Sequence, residues 1–383
     1  MAPMRILVAP QEFKGTLTAR LAAEAMAPGL RRALPGVELD LVPLADGGPG
    51  TVEALVEATS GRYYESNVHD PLGRPISARW GAPGTQGGAT PAAIIEMAAA
   101  SGLALLRPDE LDPARATTFG SGELVQAALD AGYRRLLVGV GGSATNDGGA
   151  GLAQALGARL LDAGGLDLAP GGGALARLAR IDASGLDSRL RETDVVVLAD
   201  VTNPLCGPEG ASLVYGAQKG ATAEAARELD AALAHYAAVA RRDLGVDASD
   251  AAGAGAAGGL AYGLIVFCGA TLRAGFEVVA EAVDLAARLQ RSDLVVTGEG
   301  RLDRQSGFGK TTAGVARLAR EAGKPVVALA GSVEGDEAAR PFDAVFSLTP
   351  DLAGADEALA RAAELLERAA EAAGAWAKER FGT

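Results

Sequence analysis

Histidine is nearly absent from this chain, with two in 383 residues, and so is cysteine, also two. His69 stands in a turn before Asp70-Pro71 and His235 within an Ala-rich helical pattern, so each reads as a surface or packing residue. Acid–base and metal chemistry therefore falls to carboxylates and lysines, and oxygen ligands favour a hard ion such as Mg²⁺. Cys206 and Cys268 have no metal-site spacing and fit a reducing, cytoplasmic setting. Aromatic residues make up only 4% of the chain, leaving Ala, Leu and Val to build the core. Basic charge is scarce too. The net charge is −13, which argues against a nucleic-acid partner, because phosphate neutralisation needs basic stripes. No long apolar run is present: Gly258–Ala270 is too short for a bilayer, so no membrane partner is expected. Residues 1–10 lack the charged and apolar regions of a signal peptide. The oligomeric state is not legible.

What is present is glycine, 52 residues of it, concentrated after apolar runs. Gly141-Gly142-Ser143-Ala144-Thr145-Asn146-Asp147-Gly148-Gly149 follows the strand-like Leu136–Val140 and precedes the helix-like Ala150–Leu156. At a strand–loop–helix junction the first helical N–H groups are unpaired and favour an anion, and glycine lets the backbone approach it. Gly141, Gly142, Ser143 and Asn146 are candidate anion contacts. A plain tight turn remains open. So does a dinucleotide site, because Gly139–Ala144 fits G-x-G-x-x-A with Asp162 downstream; that reading implies a nucleotide-dependent oxidoreductase.

The length suggests two domains. Strands at Arg5–Pro10, Glu38–Leu44, Asp293–Thr297, Pro325–Ala330 and Ala344–Leu348 alternate with helices at Thr18–Leu34, Thr51–Ser60, Thr311–Ala322 and Asp356–Lys378, which implies a parallel sheet. The middle has strands without intervening helices, Tyr63–His69, Ile76–Gly81 and Ala93–Met97, an antiparallel patch. Parallel sheets bind ligands at the carboxyl ends of their strands. Those ends carry Glu12 and Lys14, Asp46, Asp147, Asp200, and the run Glu299, Arg301 and Asp303. Any one carboxylate there serves a turn as readily as a reaction. Only five of the 35 basic residues are lysine, and Lys14, Lys219 and Lys310 all sit beside glycine. Gly307–Thr312 ends like a phosphate-binding P-loop but has Arg304 where the motif needs glycine.

Together these segments resemble the type I glycerate kinases across nearly the whole chain. The resemblance is carried by Phe13-Lys14-Gly15, Ala45-Asp46-Gly47-Gly48, residues 96–103, residues 118–124, the 141–149 loop, residues 200–207, residues 218–222, residues 253–259, residues 297–303 and Gly309-Lys310. It implies ATP- and Mg²⁺-dependent phosphorylation of D-glycerate, to 2-phosphoglycerate. It also implies a flavodoxin-like α/β domain built from both termini (1–66 and 286–383) and an inserted α/β domain with a mixed sheet (67–285). Lys14, Asp147, Asp200 and Arg301 are then candidates for catalysis. Asp46, Gly141, Gly142, Ser143, Asn146, Lys219, Glu299 and Lys310 would contact substrate or phosphate, and Asp46, Asp147, Asp200 and Asp303 would hold metal. The chain departs from the family pattern at Gln11-Glu12, where Asp-Ser is usual, and at Pro49, where Glu is usual. A homologue that binds hydroxy acid and nucleotide without turnover, or with an altered substrate, is the alternative.

Overall fold

The computed structural model describes residues 3–84, 90–302, 311–349 and 353–382. Along the chain the strands are β1 (Arg5–Pro10), β2 (Glu38–Leu41), β3 (Arg62–His69), β4 (Pro75–Ala82), β5 (Ala93–Glu96), β6 (Arg135–Gly139) and β7 (Arg159–Leu161). They continue as β8 (Arg180–Asp182), β9 (Asp194–Leu198), β10 (Thr271–Arg273), β11 (Leu294–Leu302), β12 (Val326–Val333) and β13 (Ala344–Thr349). Two compact units result, Met1–Asp46 with Phe276–Thr383, and Gly47–Gly275.

The first unit holds a five-stranded sheet in the order β13-β12-β11-β1-β2, parallel throughout. That is the flavodoxin-like order, with a switch point between β1 and β11. Its central strands β1, β11 and β12 are apolar on both faces, as a parallel sheet covered on both sides requires, whereas the edge strand β2 alternates Glu38 and Asp40 with leucine. In β12, Val327 and Leu329 join the core beneath helices Ala19–Ala33 and Ala362–Phe381. Ala328 and Ala330 face the other way, towards Leu302 and Ala338. Thr18 caps the first helix, its hydroxyl accepting from the Leu21 N–H at 3.3 Å. The C-terminal helix is interrupted at Arg361 (φ −121°), giving two helices, Ala355–Ala360 and Ala362–Phe381, rather than one.

The second unit holds a six-stranded mixed sheet, β10-β9-β6-β5-β4-β3. β3 and β4 pair antiparallel along their full length, and β5, β6, β9 and β10 run parallel. β7 stands apart from this sheet and pairs with β8. The unit boundaries fall elsewhere than the expected 66/67 and 285/286. Helix Thr51–Ala58 packs on β4 and β5, and β3 is bound to β4, so residues 47–66 go with the mixed sheet. Phe276 packs against Gly314 of helix Thr311–Glu321, which ties the segment after residue 275 to the parallel sheet.

Candidate active site

In the first unit the carboxyl ends of β1 and β11 lie side by side. Pro10 is in register with Gly298, and the Gln11 N–H donates to the Gly298 carbonyl at 2.8 Å. The chain after β1 is pinned by Phe13, which is buried. Its carbonyl accepts from the N–H groups of Thr16 and Leu17 and from the Thr16 hydroxyl, and its own N–H donates to Leu17. Lys14 is thereby presented to solvent on a turn that Gly15 closes at φ +81°. Gly300 permits this turn to sit close. A Cβ there would lie 3.2 Å from the Lys14 backbone nitrogen.

Asp46 follows the segment after β2, which bonds to β1 through Leu44 N–H and the Pro10 carbonyl at 2.9 Å. Its carboxylate accepts from the Gln11 amide at 2.7 Å. Glu12 is half-buried beside it. Burial first, and then the Asp46 charge, push the Glu12 carboxyl above its ordinary range, while Lys14 opposes them. The structure thus brings Lys14, Asp46 and the strand end bearing Glu299 and Arg301 to one edge of the parallel sheet. Glu299 is buried, and Arg301 is exposed and ion-paired with Glu334. Asp303 and Lys310 lie outside the described residues.

In the second unit Gly47 and Gly48 lie over the ends of β6 and β9. A Cβ on Gly47 would come within 2.5 Å of the Leu198 carbonyl, and one on Gly141 within 2.5 Å of Gly48 Cα. The Gly141 N–H is spent internally, donating to the Gly47 carbonyl at 3.0 Å. Gly142 is exposed, Ser143 is buried, and Asn146 is buried with its amide donating to the Ser212 hydroxyl at 2.8 Å. Asp200 accepts from the Gly275 N–H at 2.8 Å.

Asp147 does not have the geometry of a metal ligand or an accessible base. It is fully buried, and its carboxylate accepts from the N–H groups of Thr118 (2.8 Å), Gly149 (3.1 Å) and Gly151 (3.1 Å) and from the Thr118 hydroxyl (2.9 Å). Burial raises its pKa and those hydrogen bonds oppose the rise. A carboxylate so occupied fixes the loop instead. Lys219 is likewise no surface phosphate contact: it is 2% exposed, its ammonium donates to the Thr145 carbonyl at 2.7 Å, and burial pushes its pKa down to about 7 against the pull of Asp147. Asp162 accepts from the N–H groups of Gly164 and Leu166 in the turn after β7, a turn-forming role that leaves the dinucleotide pattern without its ribose ligand. Both histidines are structural, His69 paired with Glu123 and His235 bonded to the Leu178 carbonyl.

Sequence reasoning missed Thr118, Ser212 and the buried Tyr236 and Tyr262 around the loop. Thr118 carried a readable helix-start signal. That its hydroxyl would bond Asp147 and accept from Leu152 N–H, rather than cap its own helix, had no local signal.

Among the described residues no three of His, Cys, Asp and Glu gather as a metal cage. A smaller set is present in Glu12 with Asp46, two carboxylates whose mutual repulsion a cation would relieve.

The parallel sheet with its carboxyl-edge cluster of Lys and carboxylates suits charge neutralisation during phosphoryl transfer. Comparison with known proteins agrees. The chain matches the model of the glycerate kinase family over residues 6–378. It is 50% identical to the glycerate kinase of Bacillus subtilis (strain 168) over 370 residues, 96% of each chain. It is 46% identical to the glycerate 2-kinase of Escherichia coli (strain K12) over 369 residues, again 96% of each. A crystal structure assigned as glycerate kinase 2 from Salmonella typhimurium LT2 aligns with a TM-score of 0.83 at 48% identity, covering 100% of both chains. The protein is an α/β kinase. It belongs to the glycerate kinase family.

Proposed function

We propose that this protein transfers the γ-phosphoryl group of ATP to the 2-hydroxyl of D-glycerate, giving 2-phosphoglycerate and ADP, with Mg²⁺ as the required ion. The observation that carries this reading is the cluster of Lys14, Glu12 and Asp46 at the carboxyl edge of the parallel sheet, in a chain related nearly end to end to named glycerate kinases. The 2-position follows the name of the Escherichia coli relative.

The hydroxyl oxygen forms a bond to the γ-phosphorus, the bond from that phosphorus to the ADP oxygen breaks, and the hydroxyl proton goes to a carboxylate. Glu12 suits that last role, because a carboxyl with a raised pKa holds a proton better than an ordinary one. Lys14 supplies a compact positive charge for the carboxylate of glycerate or the moving phosphoryl group, and Arg301 offers a planar fork for the same anions. Gly142 and Ser143 are backbone contacts for an anion, and Glu299 orients Arg301. Asp46 would hold Mg²⁺, leaving Glu12 free to take the proton, and the ion would supply positive charge against the negative charge developing on the phosphate oxygens.

The test is ADP release from ATP and D-glycerate with and without Mg²⁺, followed by ³¹P and ¹³C NMR of the product. Turnover that stops with chelator and yields the 2-phosphate is expected. Folded protein that releases no ADP with any small hydroxy acid overturns the activity, and a 3-phosphate overturns the position.

A further inference from the structure

Lys219 is the one lysine buried among the described residues, and an ammonium is costly to bury without partners. It ends the segment Ala211–Lys219, which comprises helix Ala211–Tyr215 and the turn Ala217–Lys219. Both ends of that segment reach the glycine-rich loop. Near its start the Ser212 hydroxyl accepts from the Asn146 amide at 2.8 Å, and at its end the Lys219 ammonium donates to the Thr145 carbonyl at 2.7 Å. Two consecutive loop residues are thus gripped from one segment. Gly220, at φ +97°, closes that segment against Leu111, whose carbonyl would lie 2.6 Å from a Cβ at this position. The loop's other side rests on Gly258, whose carbonyl accepts from the Gly148 N–H at 3.0 Å.

The grip is needed because the loop is under-bonded at its own side chains. Thr145 Oγ1 and Asn146 Oδ1 are buried without a hydrogen-bond partner among the described residues, as are the hydroxyls of Tyr236 and Tyr262 nearby. Buried polar groups left unpaired favour other arrangements in which they are satisfied. Asp147 fixes the end of the loop that enters helix Ala150–Ala155, through Gly149 and Gly151. Thr145 and Asn146 depend on Ser212 and Lys219.

We propose that Lys219 is a positioning residue whose buried ammonium, together with Ser212, clamps Thr145 and Asn146 and holds the Gly141–Gly149 loop in its ligand-ready conformation before an anion arrives. The proposal rests on the reading that this loop contacts the anionic substrate. Without the clamp the competent loop is only a fraction of the population, and apparent affinity falls by that fraction. Saturating substrate restores the competent form, so turnover at saturation changes little.

Lys219→Met keeps an unbranched side chain one atom shorter and removes the charge. In this variant amide hydrogen exchange at Ala144 and Gly148, whose N–H groups donate to the Ser101 and Gly258 carbonyls on either side of the clamped residues, should quicken by roughly tenfold, with β1 and β12 unchanged. The KM for D-glycerate should rise by about tenfold while kcat stays within about threefold. Unchanged exchange in the loop overturns the clamp. A lower Tm with unchanged KM makes Lys219 merely structural, and a collapse of kcat at constant KM makes it a direct contact; either overturns the proposal. If Lys219→Met does not fold, Ser212→Ala tests the same clamp by the same two measurements. A wild-type protein that phosphorylates no glycerate sinks the functional reading alone, and the exchange result then decides for or against the clamp.

Discussion

Lys14 is exposed on a turn held by its neighbours, Phe13 buried below it and Gly15 closing it at φ +81°, so its side chain adds little to folding. Lys14→Ala should lower kcat by roughly 10²–10³-fold, the scale for losing one electrostatic stabiliser. Lys14→Arg should recover only part, since a planar guanidinium does not reproduce a point charge. Thermal unfolding should be unchanged in both, and an active or unfolded Lys14→Ala would make this lysine structural. Glu12 carries a pH signature. A base must be deprotonated, and its pKa is raised, so kcat/KM should fall with decreasing pH through a value above the usual carboxylate range. Glu12→Gln should remove that acidic limb along with most of the rate; a limb that persists in residual activity would place the base elsewhere. The residue types at these strand ends were legible in the sequence, but their duties were not. Asp46 and Asp147 both precede Gly-Gly, yet one stands half-exposed beside Glu12 and the other is buried and accepts hydrogen bonds from five donors.

Helices Ala19–Ala33 and Ala362–Phe381 approach so closely that their backbones meet at Gly29. A Cβ there would lie 2.0 Å from the Glu367 carbonyl, and one at Gly374 would lie 2.6 Å from Ala33 Cβ. Ala and Gly on the facing sides make this possible, the consequence of a chain poor in aromatics. Gly29→Ala should therefore separate the pair at a cost of about 1–3 kcal/mol, the range for overpacking, read from a urea titration. An unchanged midpoint would mean the pair can slide apart freely. The same closeness explains the glycines of residues 253–259. Gly258 and Gly259 take positive φ (66° and 85°), and a Cβ at these positions would meet the Thr145 carbonyl at 2.0 Å and Gly148 Cα at 2.8 Å. Ala257 is left-handed as well (φ 55°), so the regular right-handed helix that ends at Cys268 begins only after Gly259.

Each unit has its own core. The larger cluster, from Val68 to Ala270, lies wholly within residues 47–275, and the cluster containing Ile6, Val296 and Leu365 lies wholly in the terminal segments. A chain of residues 47–275 alone should therefore unfold cooperatively, with a sharp thermal transition by circular dichroism and protected amides in β6 and β9. A broad transition with exposed apolar surface would show that the second unit needs the first in order to pack. No helix of the described residues is long and apolar enough to cross a membrane.

The sequence by itself determined the strand–helix alternation that implies a parallel sheet and the glycine-rich strand ends, because hydrophobic period and turn chemistry act over a few neighbouring residues. Arg5–Pro10 was legible to the residue. Tertiary structure alone decided that residues 47–66 join the mixed sheet, that Asp147 is a scaffold and that Lys219 is buried. Each depends on partners distant in the chain: β4 for β3, Thr118 for Asp147, Thr145 for Lys219. A carboxylate or ammonium takes its role from the burial and hydrogen-bond donors around it, and these exist only once the distant segments have packed.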